Sequence, residues 1–377
     1  MRMRVAVVTE SFLPQINGVT NSVIKILESL RAEGHEAILI APTAPSDEYL
    51  GFPVIRTTKF FFRSFPVALP LVNMTSILRS FKPDVVHVAS PFLLGRQALS
   101  VSRRLGIPTV AVYQTDIAGY TARYGLDMLE AASRQTVRNI HRLADVNLAP
   151  THATARYLRD MGVTRIAVWG RGVDLERYNP ALRTDPATHA LRDVIAPDRQ
   201  LVVGFVGRLA PEKQVDRFAE LMDLKNTTFL IVGDGPERGH LEQLFAGKPV
   251  TFTGALHGDD LATAYAAMDV FVHCGEEETF GQTIQEALAS GVPVVAPAAG
   301  GPLALIHDGE NGFLVNPRED KAYRTAVKRI LKRADVRHEM RLKARASVAD
   351  KSWANNNARL FEHYRNLAGA DYKLDAS

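Results

Sequence analysis

Short apolar runs alternate with helix-like spacing along the 377-residue chain. Val5–Thr9 has the pattern of a buried strand, and apolar residues then recur every three or four positions before Gly34, as in an amphipathic helix. The same rhythm continues with helical stretches between most of the later strand-like runs, which are Ala37–Ala41, Asp84–Val88, Thr109–Tyr113, Val146–Leu148 and Ile166–Val168.

A second series of strand-like runs follows, at Leu201–Val206, Thr228–Val232, Val250–Phe252, Val270–Val272, Val292–Val295 and Phe313–Val315. Two βα series predict an α/β protein with two doubly wound parallel sheets. The polar stretch from Arg171 to Gln200 is the natural divide between them. We therefore expect domains at residues 1–175 and 176–352, with residues 353–377 forming a last helix.

The pattern after Glu319 is helical to about Leu367, and its central part is strongly basic. Most of these cations are expected on a solvated helix face. They are Lys328, Arg329, Lys332, Arg333, Arg337, Arg341, Lys343 and Arg345.

Composition indicates a globular protein of the cytoplasm. The hydrophobic fraction is 46%, and no run of eighteen apolar residues predicts a membrane-spanning helix. The first residues lead directly into a strand instead of a signal peptide. A single cysteine, Cys274, excludes an internal disulfide and is expected to be a small core residue. The eleven histidines show no metal-ligand spacing, so no metal is expected.

Charge is distributed unevenly along the chain. Residues 1–174 hold 20 Lys and Arg against 13 Asp and Glu, whereas the remainder holds 25 against 28. A positive first half suggests an anionic partner, and anionic lipid headgroups are favoured. Nucleic acid is not expected, because no recognised nucleic-acid motif is present.

Candidate chemistry centres on two glutamates, Glu278 and Glu286, which bracket a segment that turns from loop into helix. At the start of that helix, the backbone N–H groups of residues 280–283 are expected to be open to a phosphate. A phosphate seat between two carboxylates suits a sugar nucleotide, with one carboxylate for sugar hydroxyls and one for ribose hydroxyls.

Two cations lie upstream of this segment. Arg208 and Lys213 follow the strand-like run Leu201–Val206, at the strand end where open α/β sheets bind ligands. A guanidinium and an ammonium together can neutralise a diphosphate without a metal.

These motifs resemble those of retaining GT-B glycosyltransferases of family 4. The likeness rests on the paired glutamates, Gly207-Arg-Leu with Glu212-Lys213, and Ile231–Pro236. Thr9–Thr20 and Tyr113–Asp116 extend it to nearly the whole chain and look most like GDP-mannose-dependent α-mannosyltransferases acting on membrane lipids. Plant-type sulfoquinovosyl lipid synthases share that branch. The resemblance implies two Rossmann-like domains facing across a cleft, with the last helix returning to the N-terminal domain.

The resemblance also implies residue roles. Arg208, Lys213 and Glu278 would be catalytic, the two cations by stabilising the departing diphosphate and Glu278 by holding sugar hydroxyls. No cofactor is implied, because the sugar nucleotide is a substrate. The implied donor-binding residues are Gly18, Gln114, Gly207, Gly233, Phe280, Gly281, Gln282, Thr283 and Glu286.

Two acceptor-side features stay open. Many relatives carry histidine where Gln114 stands, and an amide cannot exchange a proton, which argues against an essential base there. Asp116 either orients the acceptor or caps the segment after it. The aromatic and basic segment Lys59–Pro66 is either a membrane contact or a buried loop, and the former would place the protein peripherally on the inner face of the plasma membrane.

Other functions compete with mannosyl transfer. A UDP-sugar-dependent glycolipid synthase would keep the same site, with glucose or sulfoquinovose as the sugar. A sugar-nucleotide epimerase would keep the fold but needs acid–base groups around the sugar, and a non-catalytic module would bind the donor without turnover. An oxidoreductase is disfavoured because the last glycine of Gly233–Gly239 comes one residue too late for a dinucleotide fingerprint.

Overall fold

The computed structural model describes residues 2–15, 17–62, 65–68, 72–114 and 127–369. The chain forms two compact units. The first comprises Met1–Arg171 with Ala354–Ser377, and the second comprises Gly172–Trp353. The boundary between the units therefore lies between Arg171 and Gly172, at the start of the polar stretch and slightly before the expected boundary between residues 175 and 176.

The first unit is built on an eight-stranded sheet with the order β10-β9-β8-β7-β1-β2-β4-β3. Its strands are parallel apart from β3, which pairs antiparallel with β4, and a separate antiparallel hairpin is formed by β5 and β6. The strands are β1 (Arg4–Val8), β2 (Glu36–Ala41), β3 (Glu48–Tyr49), β4 (Phe52–Arg56), β5 (Lys59–Phe62), β6 (Phe65–Ala68), β7 (Val85–Val88), β8 (Thr109–Val112), β9 (Val146–Ala149) and β10 (Ile166–Val168).

Helices connect these strands as the apolar spacing predicts. In α1, Val23, Ile26, Leu27 and Leu30 are all fully buried, which puts one helical stripe against the sheet. The helices are α1 (Gly18–Ala32), α2 (Met74–Phe81), α3 (Leu93–Leu105), α4 (Asp127–His141) and α5 (His152–Asp160).

The second unit is built on a six-stranded parallel sheet with the order β13-β12-β11-β14-β15-β16. Its strands are β11 (Leu201–Val206), β12 (Thr227–Val232), β13 (Val250–Gly254), β14 (Val270–Val272), β15 (Val294–Pro297) and β16 (Gly312–Val315). Its helices are α6 (Pro186–Ile195), α7 (Arg238–Leu244), α8 (Gly258–Ala267), α9 (Gln282–Ala289), α10 (Ala322–Lys332) and α11 (Ala334–Ala346), with 3-10 turns at Pro180–Thr184, Pro211–Lys213, Val215–Leu221 and Gly301–Ala304.

The predicted parallel sheets are confirmed, and the predicted strands lie within a few residues of the observed ones. The sequence pattern missed β3 and β4 at the sheet edge. β3 has only two residues, and β4 contains Pro53, a residue that weakens any strand prediction because it cannot donate to a ladder. The hairpin of β5 and β6 was also missed.

Asp269 anchors the second unit at the start of β14. Its carboxylate accepts hydrogen bonds from Arg183 Nη2 at 2.5 Å, Arg192 Nη1 at 3.1 Å and the Val202 backbone N–H at 2.9 Å. Burial raises the pKa of Asp269, but Arg183 and Arg192 outweigh it and hold the pKa below its usual range. One aspartate thus ties the segment before β11 to two neighbouring strands.

Most cations of the basic segment are exposed, as expected, but three of its arginines are partly buried and bind other parts of the unit. Arg337 Nε lies 3.9 Å from Asp269 Oδ1, and Arg341 Nη1 donates to the Met268 carbonyl oxygen at 3.3 Å. Arg345 donates to backbone carbonyls at three other positions, which joins α11 to the rest of the unit. These cations hold the fold together, so they do not form a free basic surface.

The last helix, α12 (Trp353–Ala368), packs on the first unit from Ala354 onward. Leu360, Phe361 and Tyr364 join the core around β1. Tyr364 Oη is 2.8 Å from His87 Nδ1 on β7, and the Trp169 indole N–H donates to the Asn356 carbonyl oxygen at 3.1 Å.

Removing the charge of Asp269 should destabilise the protein. Asp269→Asn would leave Arg183 and Arg192 buried without their carboxylate, and we expect a loss of about 3 kcal/mol or more in the free energy of unfolding in urea. Asp335→Asn is the control, because Asp335 pairs with Arg333 on the surface and both side chains are 65% exposed. Equal stability of the two variants would contradict an anchoring role for Asp269.

Candidate functional site

Two loops meet at the carboxyl edge of the second sheet. One follows β11 and carries Arg208 and Lys213, and the other follows β14 and leads to Glu278. Because β11 and β14 are neighbours in the sheet, their loops lie side by side. A Cβ atom added to Gly275 would be 2.7 Å from the Glu212 carbonyl oxygen, so only glycine lets the two backbones approach this closely.

Lys213 and Glu278 form an ion pair across these loops. Nζ lies 2.8 Å from Oε2, and the two side chains are only 24% and 18% exposed. Burial alone would raise the pKa of Glu278, but Lys213, His273 and the Phe280 backbone N–H together lower the pKa to about 2. Glu278 is therefore ionised at any physiological pH.

Glu278 also occupies part of the expected phosphate seat. Its Oε1 accepts from the N–H groups of Gly281 at 3.1 Å and Phe280 at 3.4 Å, so these two are not open as the sequence predicted. The helix itself begins at Gln282, and the N–H groups of Gln282 and Thr283 have no acceptor within a helix at this position. The expected phosphate seat is therefore reduced to the backbone N–H groups of Gln282 and Thr283.

Arg208 lies in the same loop as Lys213 and is bonded to Glu212 four residues later. Its side chain is 53% exposed, so its charge is accessible at the sheet edge. Sequence reasoning used Glu212 only as part of a motif and gave it no role, although this carboxylate binds one of the two predicted leaving-group cations.

Glu286 lies in the second turn of α9, in a different environment from Glu278. The Tyr265 hydroxyl, fully buried on α8, donates to Glu286 Oε2 at 3.0 Å. Burial raises the pKa of Glu286 to about 7, although hydrogen bonds from Tyr265 and Gln282 act in the opposite direction. Near neutral pH this carboxyl therefore exchanges a proton easily, whereas Glu278 does not.

Gly207 and Gly233 are explained by the packing of one loop on another. The Gly207 N–H donates to the Val232 carbonyl oxygen at 3.0 Å, and the Gly233 N–H donates to the Gly254 carbonyl oxygen at 2.8 Å. Gly233 has φ of 139°, and a Cβ atom there would collide with the Gly207 carbonyl oxygen. These glycines are therefore required for the fold of the sheet edge, independently of any contact that they make with a ligand.

In the first unit, Gly18 and Gln114 are brought together by a residue that the sequence did not single out, Arg171. Arg171 Nη2 donates to Gln114 Oε1 at 3.3 Å, and the same guanidinium lies against Gly18 at the start of α1. Because a guanidinium only donates, Gln114 must turn its oxygen to Arg171, which leaves the buried amide nitrogen as a donor. The signal was available, since Arg171 follows β10 as Arg208 follows β11.

Some predictions fall on residues that the structure does not describe. Asp116 lies outside the described residues, so its role stays a prediction. Lys59–Phe62 and Phe65–Ala68 form the β5–β6 hairpin, of which the backbone alone is described. The segment is therefore a pair of strands, and whether it contacts a membrane or packs as a buried segment stays a prediction.

The sequence also led to expectations about Cys274 as a core residue and about the absence of a metal site. Cys274 is 1% exposed, and burial raises the pKa of its thiol well above the usual range, so it is an inert core residue. Within the described ranges, no group of three or more His, Cys, Asp or Glu residues is placed to hold a metal ion. In the same ranges, no helix is long and apolar enough to cross a bilayer.

Sequence reasoning missed His273, which directly follows β14 and is almost completely buried. Its Nε2 lies 4.0 Å from Glu278 Oε2. A histidine five residues before a glutamate gives no periodic signal, because the loop that brings the two together is irregular.

Comparison with known proteins matches both halves of the chain to glycosyltransferase families. Residues 16–177 match the family described as Glycosyltransferase Family 4, and residues 189–347 match Glycosyl transferases group 1. A solved structure, Anabaena Alr3699/HepE in complex with UDP, superimposes with a TM-score of 0.78 at 21% identity, covering 96% of this chain and 100% of that one.

Curated relatives are more similar in sequence. The GDP-mannose-dependent alpha-mannosyltransferase of Mycobacterium tuberculosis is 46% identical, covering 97% of each chain. The enzyme of the same name from Corynebacterium glutamicum is 44% identical, covering 99% of this chain and 91% of the relative. Sulfoquinovosyl transferase SQD2 of Arabidopsis thaliana is 33% identical, covering 90% of this chain and 68% of the relative. The chain therefore belongs to glycosyltransferase family 4 and is a glycosyltransferase of the GT-B fold.

Proposed function

We propose that this enzyme transfers mannose from GDP-mannose to a membrane glycolipid acceptor in an α linkage, with retention of configuration. The observation that carries the proposal is the buried Lys213–Glu278 pair beside Arg208 at the carboxyl edge of the second sheet. Two relatives named GDP-mannose-dependent alpha-mannosyltransferase support the choice of donor.

The donor diphosphate would bind where positive charge is concentrated. Arg208 would leave Glu212, Lys213 would leave Glu278, and both would turn to the phosphate oxygens, joined by the N–H groups of Gln282 and Thr283. A guanidinium, an ammonium and a helix start together stabilise the charge that develops on the departing diphosphate.

The two glutamates would bind two parts of the donor. Glu278, permanently ionised, accepts hydrogen bonds from hexose hydroxyls. Glu286 accepts from the ribose hydroxyls beside Tyr265. Gly18, Gln114, Gly207 and Gly233 keep their predicted donor-binding roles, with the Gln114 amide nitrogen donating to a sugar oxygen.

The transfer step needs no protein base. The acceptor hydroxyl oxygen forms a bond to the anomeric carbon on the face that the diphosphate leaves, and the bond from that carbon to the phosphate oxygen breaks. The acceptor proton passes to an oxygen of the departing diphosphate, whose charge the two cations balance. Gln114, which cannot exchange a proton, is compatible with this route.

A lipid acceptor would bind to the first unit. Its sequence range carries the excess of positive charge, which favours anionic headgroups and a peripheral position on the inner face of the plasma membrane. The hairpin of β5 and β6, with its aromatic sequence, is the segment proposed to touch the lipid.

A UDP-sugar-dependent glycolipid synthase is the second candidate, because a sulfoquinovosyl transferase is among the relatives. A sugar-nucleotide epimerase would use the same donor site but needs no acceptor. Product analysis without acceptor therefore separates epimerisation from transfer.

The donor is tested by calorimetric titration with GDP-mannose, UDP-glucose, GDP and UDP in EDTA. We expect GDP compounds to bind and UDP compounds to bind at least about tenfold more weakly, a difference of about 1.4 kcal/mol. Adding Mg²⁺ should leave both affinities unchanged, since Arg208 and Lys213 supply the positive charge. Preference for UDP compounds would move the donor to the second candidate, and absence of all binding would refute the site.

Alanine at Arg208, Lys213 or Glu286 should reduce mannose transfer by about 100-fold or more, because each removes a charged partner of the transition state or the donor. Incorporation of radioactive mannose from GDP-mannose into detergent-dispersed diacylglycerol, monoglucosyldiacylglycerol and phosphatidylinositol measures this. Lys343→Ala is the matched control, since Lys343 pairs with Glu339 on an exposed helix face. Near-normal transfer by all three site variants, with unchanged thermal stability, would contradict the assigned roles.

Donor binding should weaken as pH falls below 7. The pKa of Glu286 is raised to about 7, so acidification protonates it and removes the acceptor for ribose hydroxyls. We expect the affinity for GDP-mannose to fall by up to about tenfold per pH unit below that value and to be constant above it. Glu286→Gln, which cannot titrate, should bind more weakly and with a flat profile. A profile unchanged by the substitution would assign the titration to another group.

A further inference from the structure

His273 is buried beside the candidate site, and the mechanism proposed above gives it no role. The residue is 1% exposed, and its backbone N–H donates to the Val295 carbonyl oxygen at 2.9 Å, which fixes the position of the ring at the edge of the sheet. Neither ring nitrogen has a well-aligned hydrogen-bond partner among the described residues, and the only nearby backbone partner among them is a weak contact with Gly275. Buried polar atoms are normally satisfied, so an unsatisfied imidazole next to a ligand site calls for a partner in another state of the protein.

The protonation state of His273 is set by its surroundings. Burial lowers the pKa of His273 to about 4, against the opposite influence of Glu278 and the Gly275 backbone. The ring is therefore neutral at physiological pH, with one nitrogen that donates and one that accepts. It can offer an N–H group without adding a charge to the site.

The geometry identifies the partner. His273 Nε2 lies 4.0 Å from Glu278 Oε2, and the same oxygen accepts from Lys213 Nζ at 2.8 Å. Glu278 Oε1 faces the N–H groups of Phe280 and Gly281. One carboxylate oxygen therefore binds the N–H groups at the helix start, and the other binds Lys213. The His273 ring lies beside that second oxygen, 4.0 Å away.

We propose that His273 is a positioning residue that takes over Glu278 Oε2 when the donor diphosphate draws Lys213 away. This rests on the proposed function, in which Lys213 changes partner on donor binding. A shift of about 1 Å would bring Nε2 to hydrogen-bond distance of Oε2. The carboxylate then stays oriented toward the hexose hydroxyls at the moment when its ammonium partner serves the leaving group.

The role predicts an effect that appears only when the diphosphate displaces Lys213 from Glu278. GMP lacks the β-phosphate and would leave Lys213 with Glu278, so GMP affinity should not depend on His273, whereas mannose transfer from GDP-mannose should. A residue that merely filled space would change both or neither. The comparison of the two ligands therefore separates positioning of Glu278 from structural support.

Two substitutions at His273 test the proposal. His273→Leu fills the space without a donor, and His273→Gln places an amide N–H about where the imidazole Nε2 lies. Mannose transfer into the detergent-dispersed lipids should fall about 10- to 100-fold in His273→Leu, the loss typical of one hydrogen bond to a charged group, and remain within about threefold of the parent in His273→Gln. The dissociation constant of GMP should stay within about twofold in both, whereas that of GDP should rise in His273→Leu.

Cys274→Ala is the matched control, because Cys274 is the next residue, equally buried, and packs into the core on the other side of the sheet. It should leave transfer and GDP binding as in the parent protein. If His273→Leu lowers the melting temperature markedly, His273→Asn replaces it, since its shorter amide cannot reach Glu278.

Three results would overturn the proposal. They are unchanged transfer in His273→Leu, equal losses in His273→Leu and His273→Gln, and a loss of GMP binding that matches the loss of transfer. Failure of the proposed function would look different, because the parent protein itself would then bind no GDP or transfer no mannose.

Discussion

The ion pair between Lys213 Nζ and Glu278 Oε2 joins the loops that follow two neighbouring strands of the second sheet. A buried pair of this kind is costly to separate unless another partner replaces each member. A diphosphate can replace Glu278 as the partner of Lys213, and the helix start already holds the other oxygen of Glu278. Both charges are therefore paired in this structure, and in the proposed donor complex each would change its partner without being left unpaired.

The two glutamates show how different surroundings give identical side chains different pKa values. Glu278 faces an ammonium and backbone N–H groups, which hold its pKa at about 2, whereas Glu286 faces a buried tyrosine, and its pKa is about 7. Charge near Glu278 outweighs burial, and burial near Glu286 outweighs two hydrogen bonds. One carboxylate is thus a constant part of the electrostatics of the site, and the other responds to pH.

Support for the site comes from opposite ends of the second sheet. At the carboxyl edge, Gly233 and Gly275 allow backbones to approach so closely that a side chain would not fit. At the other end, Asp269 gathers arginines from α6, α11 and the turn before α6, so the helices that flank the sheet are held by charge as well as by apolar packing. The loops that carry Lys213 and Glu278 consequently rest on a sheet that is anchored at both ends, which favours precise placement of their charges.

Apolar runs and glycine-rich motifs are local signals, so the amino-acid sequence was enough to predict the two parallel sheets and most of the residues at the second sheet's carboxyl edge. It also placed Arg208, Lys213, Glu278 and Glu286. It did not reveal which of these are in contact, that Glu278 caps the helix it precedes, that Arg171 lies with Gly18 and Gln114 in the first unit, or that His273 lies beside Glu278 in the second. Within each unit those facts depend on loops from distant parts of the chain that meet at the edge of its sheet. The pairing and burial that arise there only on folding set the charge of each group.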